Sequence, residues 1–372
     1  MKRWNALVVL VSFALSAALF ATVRSTAADE PAPAAKKKSP TAKEFVLHAH
    51  KRAAVAKSEG DFAAIIYLLD RALRSEALTP KYADYAKQLK SWAHNKTGEV
   101  QLEKDRESAA LAQFEQAVEL NPEHWKSRHN RGVSYAVSGE MAKALKDFTK
   151  VIELKPKFAN AWFNRAEAQM ALGNVAAAIT DYEAAIAVSP RDAGFYFARA
   201  AAYRQQGKAE QALHDYTQAI ELDTSNAAAH VGRGDVYSGA GNYAEAAADF
   251  RKALKLDKQS AAAYRGVAWM MSTCTDIRYR DSKRAVSFAE RAIELAGDPG
   301  FQYYETLAAG HAAAGAFGEA VAVQQKAISL AATDASDAVL GRLRAELAQY
   351  ERGEAFPTDR VAAPPQAGPR RQ

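Results

Sequence analysis

The chain has 372 residues, 25% of them charged and 49% hydrophobic, which fits a mostly folded protein and excludes a collagen-like or low-complexity chain. A single cysteine, Cys274, excludes an intramolecular disulfide and a cysteine-rich zinc site. The formal charge of +6 falls to +3 once Lys2, Arg3 and Arg24 of the leader described next are set aside. That balance is ordinary and predicts no nucleic-acid partner.

At the N-terminus, Lys2 and Arg3 precede an apolar run from Ala6 to Phe20, interrupted only by Ser12 and Ser16 and followed by Ser25-Thr26-Ala27-Ala28. This order predicts a secretory signal over residues 1–28, cut after Ala27 or Ala28. The alternative is that it stays as an anchor through residues 6–23, which would then be the chain's membrane contact. The expected location is outside the cytoplasm, periplasmic or secreted. Residues 29–43 are rich in Pro, Ala and Lys and read as a flexible linker. Residues 353–372 carry four prolines and read as a disordered tail.

Between them lies a helical region, residues 44–352. Gly60-Asp61-Phe62 opens an apolar-periodic stretch to Leu73, and its helical partner begins near Phe45. The next unit is longer at its front, and Pro80 suits the start of an extended helix. A strict period of 34 residues then takes over. Phe114, Phe148, Tyr182, Tyr216 and Phe250 share one register, and Ala110, Ala144, Ala178, Ala212 and Ala246 another. Gly139, Gly173, Gly207 and Gly241 form a third, and Pro122, Pro156 and Pro190 a fourth. Arg131, Arg165, Arg199 and Arg233 stand before a Gly or Ala in each unit. The small residues allow one helix to cross its partner closely, the aromatic fills the space beneath the next unit, and the glycine makes the turn. Past Ala261 an insertion, residues 274–281, delays the second helix to about Ser282. A last unit around Tyr304, Leu307-Ala308, Gly315 and Ala320 is followed by a charged helix over 335–352 that suits a cap.

These ladders resemble the tetratricopeptide repeat (TPR), in which a bulky residue, Gly or Ala, Tyr, Ala, an aromatic and Pro recur in this order. The resemblance implies an all-α, right-handed superhelical solenoid of about eight helix-turn-helix units plus a C-terminal capping helix. The insertion and closing pattern are similar to those of secreted or envelope-associated bacterial TPR proteins.

In such an array the first helix of each unit lines a concave face. Setting aside the packing ladders leaves Lys126, Asn130, Asn160, Phe163, Asn164, Phe197, Arg204, Arg265 and Trp269 as the candidate groove. Aromatic rings beside amide and basic groups suit an extended peptide, with the amides bonding its backbone. Asn130 and Asn164 fall where chaperone-binding TPR domains carry an asparagine that grips a peptide carboxylate, but Val133 and Ala198 depart from that clamp. Two readings stay open: the asparagines bridge neighbouring helices, and Phe163 and Phe197 pack between helices.

The sequence shows no phosphate loop, no dinucleotide fingerprint and no HExxH. No catalytic set, metal site or cofactor is expected, and Cys274 reads as a packing residue at a helix end. The expected function is a non-catalytic scaffold that binds a protein or peptide partner. An adaptor using the convex surface or array edges is the alternative, and an enzyme with a site at residues 274–281 a remote one.

Overall fold

The structure, a computed structural model, describes residues 40–333 and 335–355. The predicted signal, residues 29–39 of the predicted linker and most of the tail lie outside the described residues, while Ala42 and Lys43, expected in the linker, belong to the first helix, which Thr41 caps. The chain divides into two compact units, up to Lys155 and from Pro156 onward. Among the described residues there are seventeen α-helices, one 3-10 turn and no strand.

The first unit contains α1 (Ala42–Ala53), α2 (Glu59–Leu73), α3 (Pro80–Leu102), α4 (Glu107–Leu120), α5 (Trp125–Val137) and α6 (Met141–Leu154). They pair as three antiparallel hairpins. Thr41 and Ser58 close capping boxes with Glu44 and Asp61, which satisfies the first backbone N–H groups of α1 and α2. Pro80 stands in the first turn of the long α3, where its missing N–H costs nothing.

The second unit contains five hairpins: α7 (Ala159–Ala171) with α8 (Val175–Val188), α9 (Ala193–Gln205) with α10 (Ala209–Leu222), α11 (Ala227–Gly239) with α12 (Tyr243–Leu256), α13 (Ala261–Thr273) with α14 (Ser282–Ala296), and α15 (Phe301–Ala313) with α16 (Phe317–Ala331). A final helix, α17 (Asp337–Glu351), covers the last hairpin. The insertion between α13 and α14 carries the 3-10 turn, Ile277–Tyr279.

The turns inside the repeats follow from one conformational need. Gly139, Gly173, Gly207, Gly241 and Gly315 all have φ between 73° and 83°, a region that favours a residue without Cβ. The next residue donates back to the last turn of the helix, as Glu140 N does to Tyr135 O at 2.8 Å and Lys208 N to Tyr203 O at 2.9 Å.

Packing inside each hairpin matches the ladders. Ala110, Ala144, Ala178, Ala212 and Ala246 are fully buried, and so are the rings of Phe114, Phe148 and Phe250. The rings press on bare backbone. A Cβ at Gly98 would meet the Phe114 ring at 2.5 Å. Phe250 is gripped from both sides, with a Cβ at Gly234 meeting it at 2.9 Å and one at Gly266 at 2.5 Å. Each such ring contributes about 1.5–3 kcal/mol by leaving water.

A charged ladder runs through the same hairpins. Arg131, Arg165, Arg199 and Arg233 each make a bidentate pair with Asp147, Asp181, Asp215 and Asp249, sixteen residues on, at 2.6 to 2.9 Å. The carboxylates are buried. The guanidinium planes lie near aromatic rings, as Arg199 does between Tyr196 and Tyr203 at 5.8 and 5.7 Å. These pairs fasten the first helix of a hairpin to the second.

Candidate functional site

In each unit the candidate face is built from the first helices of that unit's hairpins, and the nine residues expected to line such a face fall two in the first unit and seven in the second. In the first unit, Lys126 is exposed beside the Trp125 ring, its Nζ 5.6 Å from the centroid. Asn130 is half-buried, and its side chain donates to Asn95 Oδ1 at 3.1 Å and to Glu99 Oε1 at 3.4 Å. Asn130 therefore bridges α5 to α3, as the bridging reading of the asparagines expects.

In the second unit, Asn160, Asn164, Phe197 and Arg204 are half-buried on α7 and α9. They keep surface that a ligand can reach. The other three do not. Phe163 is only 3% exposed and belongs to the core. Its ring stacks on Phe195 of α9 at 5.0 Å and lies 5.8 Å from Tyr182. Its equivalent, Phe197, lies edge-on to Tyr216 at 5.8 Å, and with Ala229 at the position that corresponds to Phe195 it is half-buried rather than interior. Trp269 is 2% exposed and Arg265 9%. These three assignments are corrected: Phe163, Arg265 and Trp269 are interior residues.

The cause at the far end is the closeness of the first helices. There α13 packs against α11 and α15 as well as its own partner α14. The surface that Trp269 and Arg265 were expected to line is closed. Arg265 instead donates through Nη2 to Asp235 Oδ2 at 3.4 Å, and Arg204 donates through Nη1 to the same oxygen at 3.2 Å. Asp235 is buried, so it ties α9, α11 and α13 together. Arg204 reaches this pair with one edge and the surface with the other, with 27% of its side chain exposed.

Polar contacts continue along α7. The Tyr182 hydroxyl donates to Glu167, and burial pushes the Tyr182 phenol well above its ordinary range. In the first unit, burial holds His129 down to about 4, so it is a neutral ring packed 6.0 Å from Phe148. His48 and His50 are exposed, and His50 Nδ1 shares a hydrogen bond with Tyr85. Among the described residues no group of His, Cys, Asp and Glu is arranged to hold a metal ion. No helix among them is long and apolar enough to cross a membrane.

Cys274 caps the end of α13, is 1% exposed, and its Sγ donates to Asp276 O at 3.3 Å. Burial pushes its thiol up, the opposite of what a nucleophile needs. Arg278 is paired with Asp276 at 2.6 Å, and the nearby Arg280 charge only partly opposes the effect of burial on the thiol. The insertion presents an apolar group to solvent, Ile277, at 82% exposure.

Stacked helical hairpins held by a small-residue crossing, an aromatic wedge and an internal Arg–Asp pair define a helical-repeat protein. Tetratricopeptide repeat families match at residues 95–157 and 227–260, and a TPR repeat family at 169–207 and 200–241. The chain is a tetratricopeptide repeat protein. No curated protein matches it by sequence. Among solved structures it is similar to a tetratricopeptide repeat protein from Parabacteroides merdae, at 20% identity over 72% of this chain and 98% of that one, with a TM-score of 0.48. It is also similar to MamA from Desulfovibrio magneticus, at 20% identity over 45% and 95% with a TM-score of 0.43. A third is YrrB, described as a TPR protein with an unusual peptide-binding site, at 18% identity over 50% and 96% with a TM-score of 0.43. Proteins built of this repeat are in general non-catalytic scaffolds for protein contacts.

Proposed function

We propose that this chain is a non-catalytic scaffold in the cell envelope that binds a protein or peptide along the first-helix face. The observation that carries the reading is the half-exposed group Asn160, Asn164, Phe197 and Arg204 on α7 and α9. It offers an apolar ring, amides and a cation on rigid helices, the mixture an extended peptide uses for one side chain and its backbone. Lys126 and Asn130 offer a cation and an amide on the first unit. Export rests on the leader at residues 1–28, and sequencing the N-terminus of the exported product tests it.

The test of binding is partner capture by the mature chain, followed by Phe197→Ala and Asn160→Ala. Both positions are half-exposed, so the circular dichroism spectrum stays unchanged while affinity falls at least tenfold. Unchanged affinity in both variants refutes the reading. A second reading, contact through the insertion edge, is favoured by the exposure of Ile277. It predicts that Ile277→Ser, and not Phe197→Ala, loses the partner.

A further inference from the structure

The end of the second unit holds a buried charge cluster that the repeat does not require. Glu305 stands on α15 at the position of Arg265 on α13, and it is fully buried. Arg342 of α17 donates to Glu305 and, at 2.8 Å, to Glu346 one turn further along α17. One guanidinium thus serves two carboxylates, of which Glu346 is 7% exposed. From α16, Gln324 is fully buried and donates at 3.0 Å both to Glu346 Oε2 and to Leu343 O. Among the described residues, Glu305 Oε2 and Gln324 Oε1 have no hydrogen-bond donor.

The charge count does not close. With both carboxylates ionised, the cluster holds an extra negative charge on buried groups, which is costly, and the Arg342 side chain, 39% exposed, is the side of the cluster that faces water. Burial and the charge of Glu346 favour the protonated form of Glu305, and Arg342 opposes them. Arg342 and Glu346 of α17 are the charged groups that act on Glu305, and the buried Tyr350 phenol of the same helix, pushed up by burial and by both carboxylates, faces the cluster as a neutral group. Gln324 of α16 is neutral, and no ionised group of α13 or α14, which also pack on α15, acts on it. A proton on Glu305 lets its carboxyl group donate to Glu346, leaving one anion for one guanidinium.

The same helix seals the apolar end of the array. Leu340 and Leu343 pack with Phe301, Ala327 and Ala331, and the Tyr350 ring with Ala308, Ala312 and Ala320. We propose that α17 is a proton-dependent cap: one proton held between Glu305 and Glu346 beneath Arg342 keeps it docked, and losing that proton releases it and bares the end of the α15–α16 hairpin. The sign follows from linkage. Glu305 is pushed up to about 8 in the docked state and returns to the ordinary carboxylate range once released. Opening therefore sheds a proton, and the open fraction rises with pH between about 5 and 8 and levels above that.

Hydrogen exchange on the full chain from pH 5 to 9, corrected for the intrinsic pH dependence of amide exchange, tests this with α10 as the internal reference. Protection of α17 amides should fall up to tenfold per pH unit and level near pH 8, while α10 stays flat. Glu305→Gln should flatten the α17 profile. If that variant does not fold, Glu346→Gln takes its place and should move the levelling point at least one pH unit lower. A flat α17 profile in the parent chain, an equal fall in α10, or a variant profile unchanged from the parent overturns the proposal.

Discussion

Replacing Arg199 by Met isolates the role of the buried ion-pair ladder. The aliphatic stem between Tyr196 and Tyr203 is kept, and only the guanidinium is removed. Asp215 has 1% of its side chain exposed and accepts from Arg199 Nε at 2.6 Å and Nη2 at 2.8 Å. The variant strands an ionised carboxylate in the core, which costs about 3–5 kcal/mol. Asp215→Leu does the converse, but the stranded guanidinium keeps 16% exposure and reaches water by a small swing, so its cost is about 1–3 kcal/mol. The double variant Arg199→Met with Asp215→Leu leaves no charge behind and lies within about 1 kcal/mol of the parent, because an apolar pair of similar volume avoids both desolvation terms. Urea unfolding followed by circular dichroism reads the three midpoints, with local exchange in α9 and α10 as the check that melting stays cooperative. The reasoning is refuted if Arg199→Met costs under about 1 kcal/mol, or if the double variant is no more stable than the worse single one.

Three further outcomes are expected. Gly266→Ala puts a methyl group 2.5 Å from the Phe250 ring and should cost about 1–3 kcal/mol, whereas Gly318→Ala, with nothing within 4 Å, should be neutral or stabilising. His129 is held down to about 4 by burial, so the unfolded chain takes up its proton first as pH falls. Stability of the first unit should therefore decline as pH drops from about 6.5 toward 4, and His129→Phe should remove that part of the slope. Cys274 is buried with a raised thiol, so it should resist a thiol reagent in the native state and react fully in urea.

The repeat was readable in the sequence because its geometry is periodic and each ladder answers one local need. Gly139 and its equivalents turn the chain, and Ala144 and Phe148 mark the crossing and the wedge. The Asp ladder is equally regular: Asp147, Asp181, Asp215 and Asp249 each stand one residue before the aromatic, in step with the arginines. The face was harder. Phe163 and Phe197 occupy the same repeat position, yet what decides their exposure is the residue opposite on the next hairpin, Phe195 in one case and Ala229 in the other. Trp269 and Arg265 are covered because α13 touches α11 and α15 next to an irregular insertion, a spacing that no strict period encodes. The division at Lys155 and Pro156 likewise falls inside an unbroken sequence period.

The most direct measurement is the exchange footprint of the captured partner on this chain. The account predicts new protection on α7 and α9, centred on Asn160–Asn164 and Phe197–Arg204. Protection confined to the second helices α8 and α10, or to residues 274–281, contradicts it.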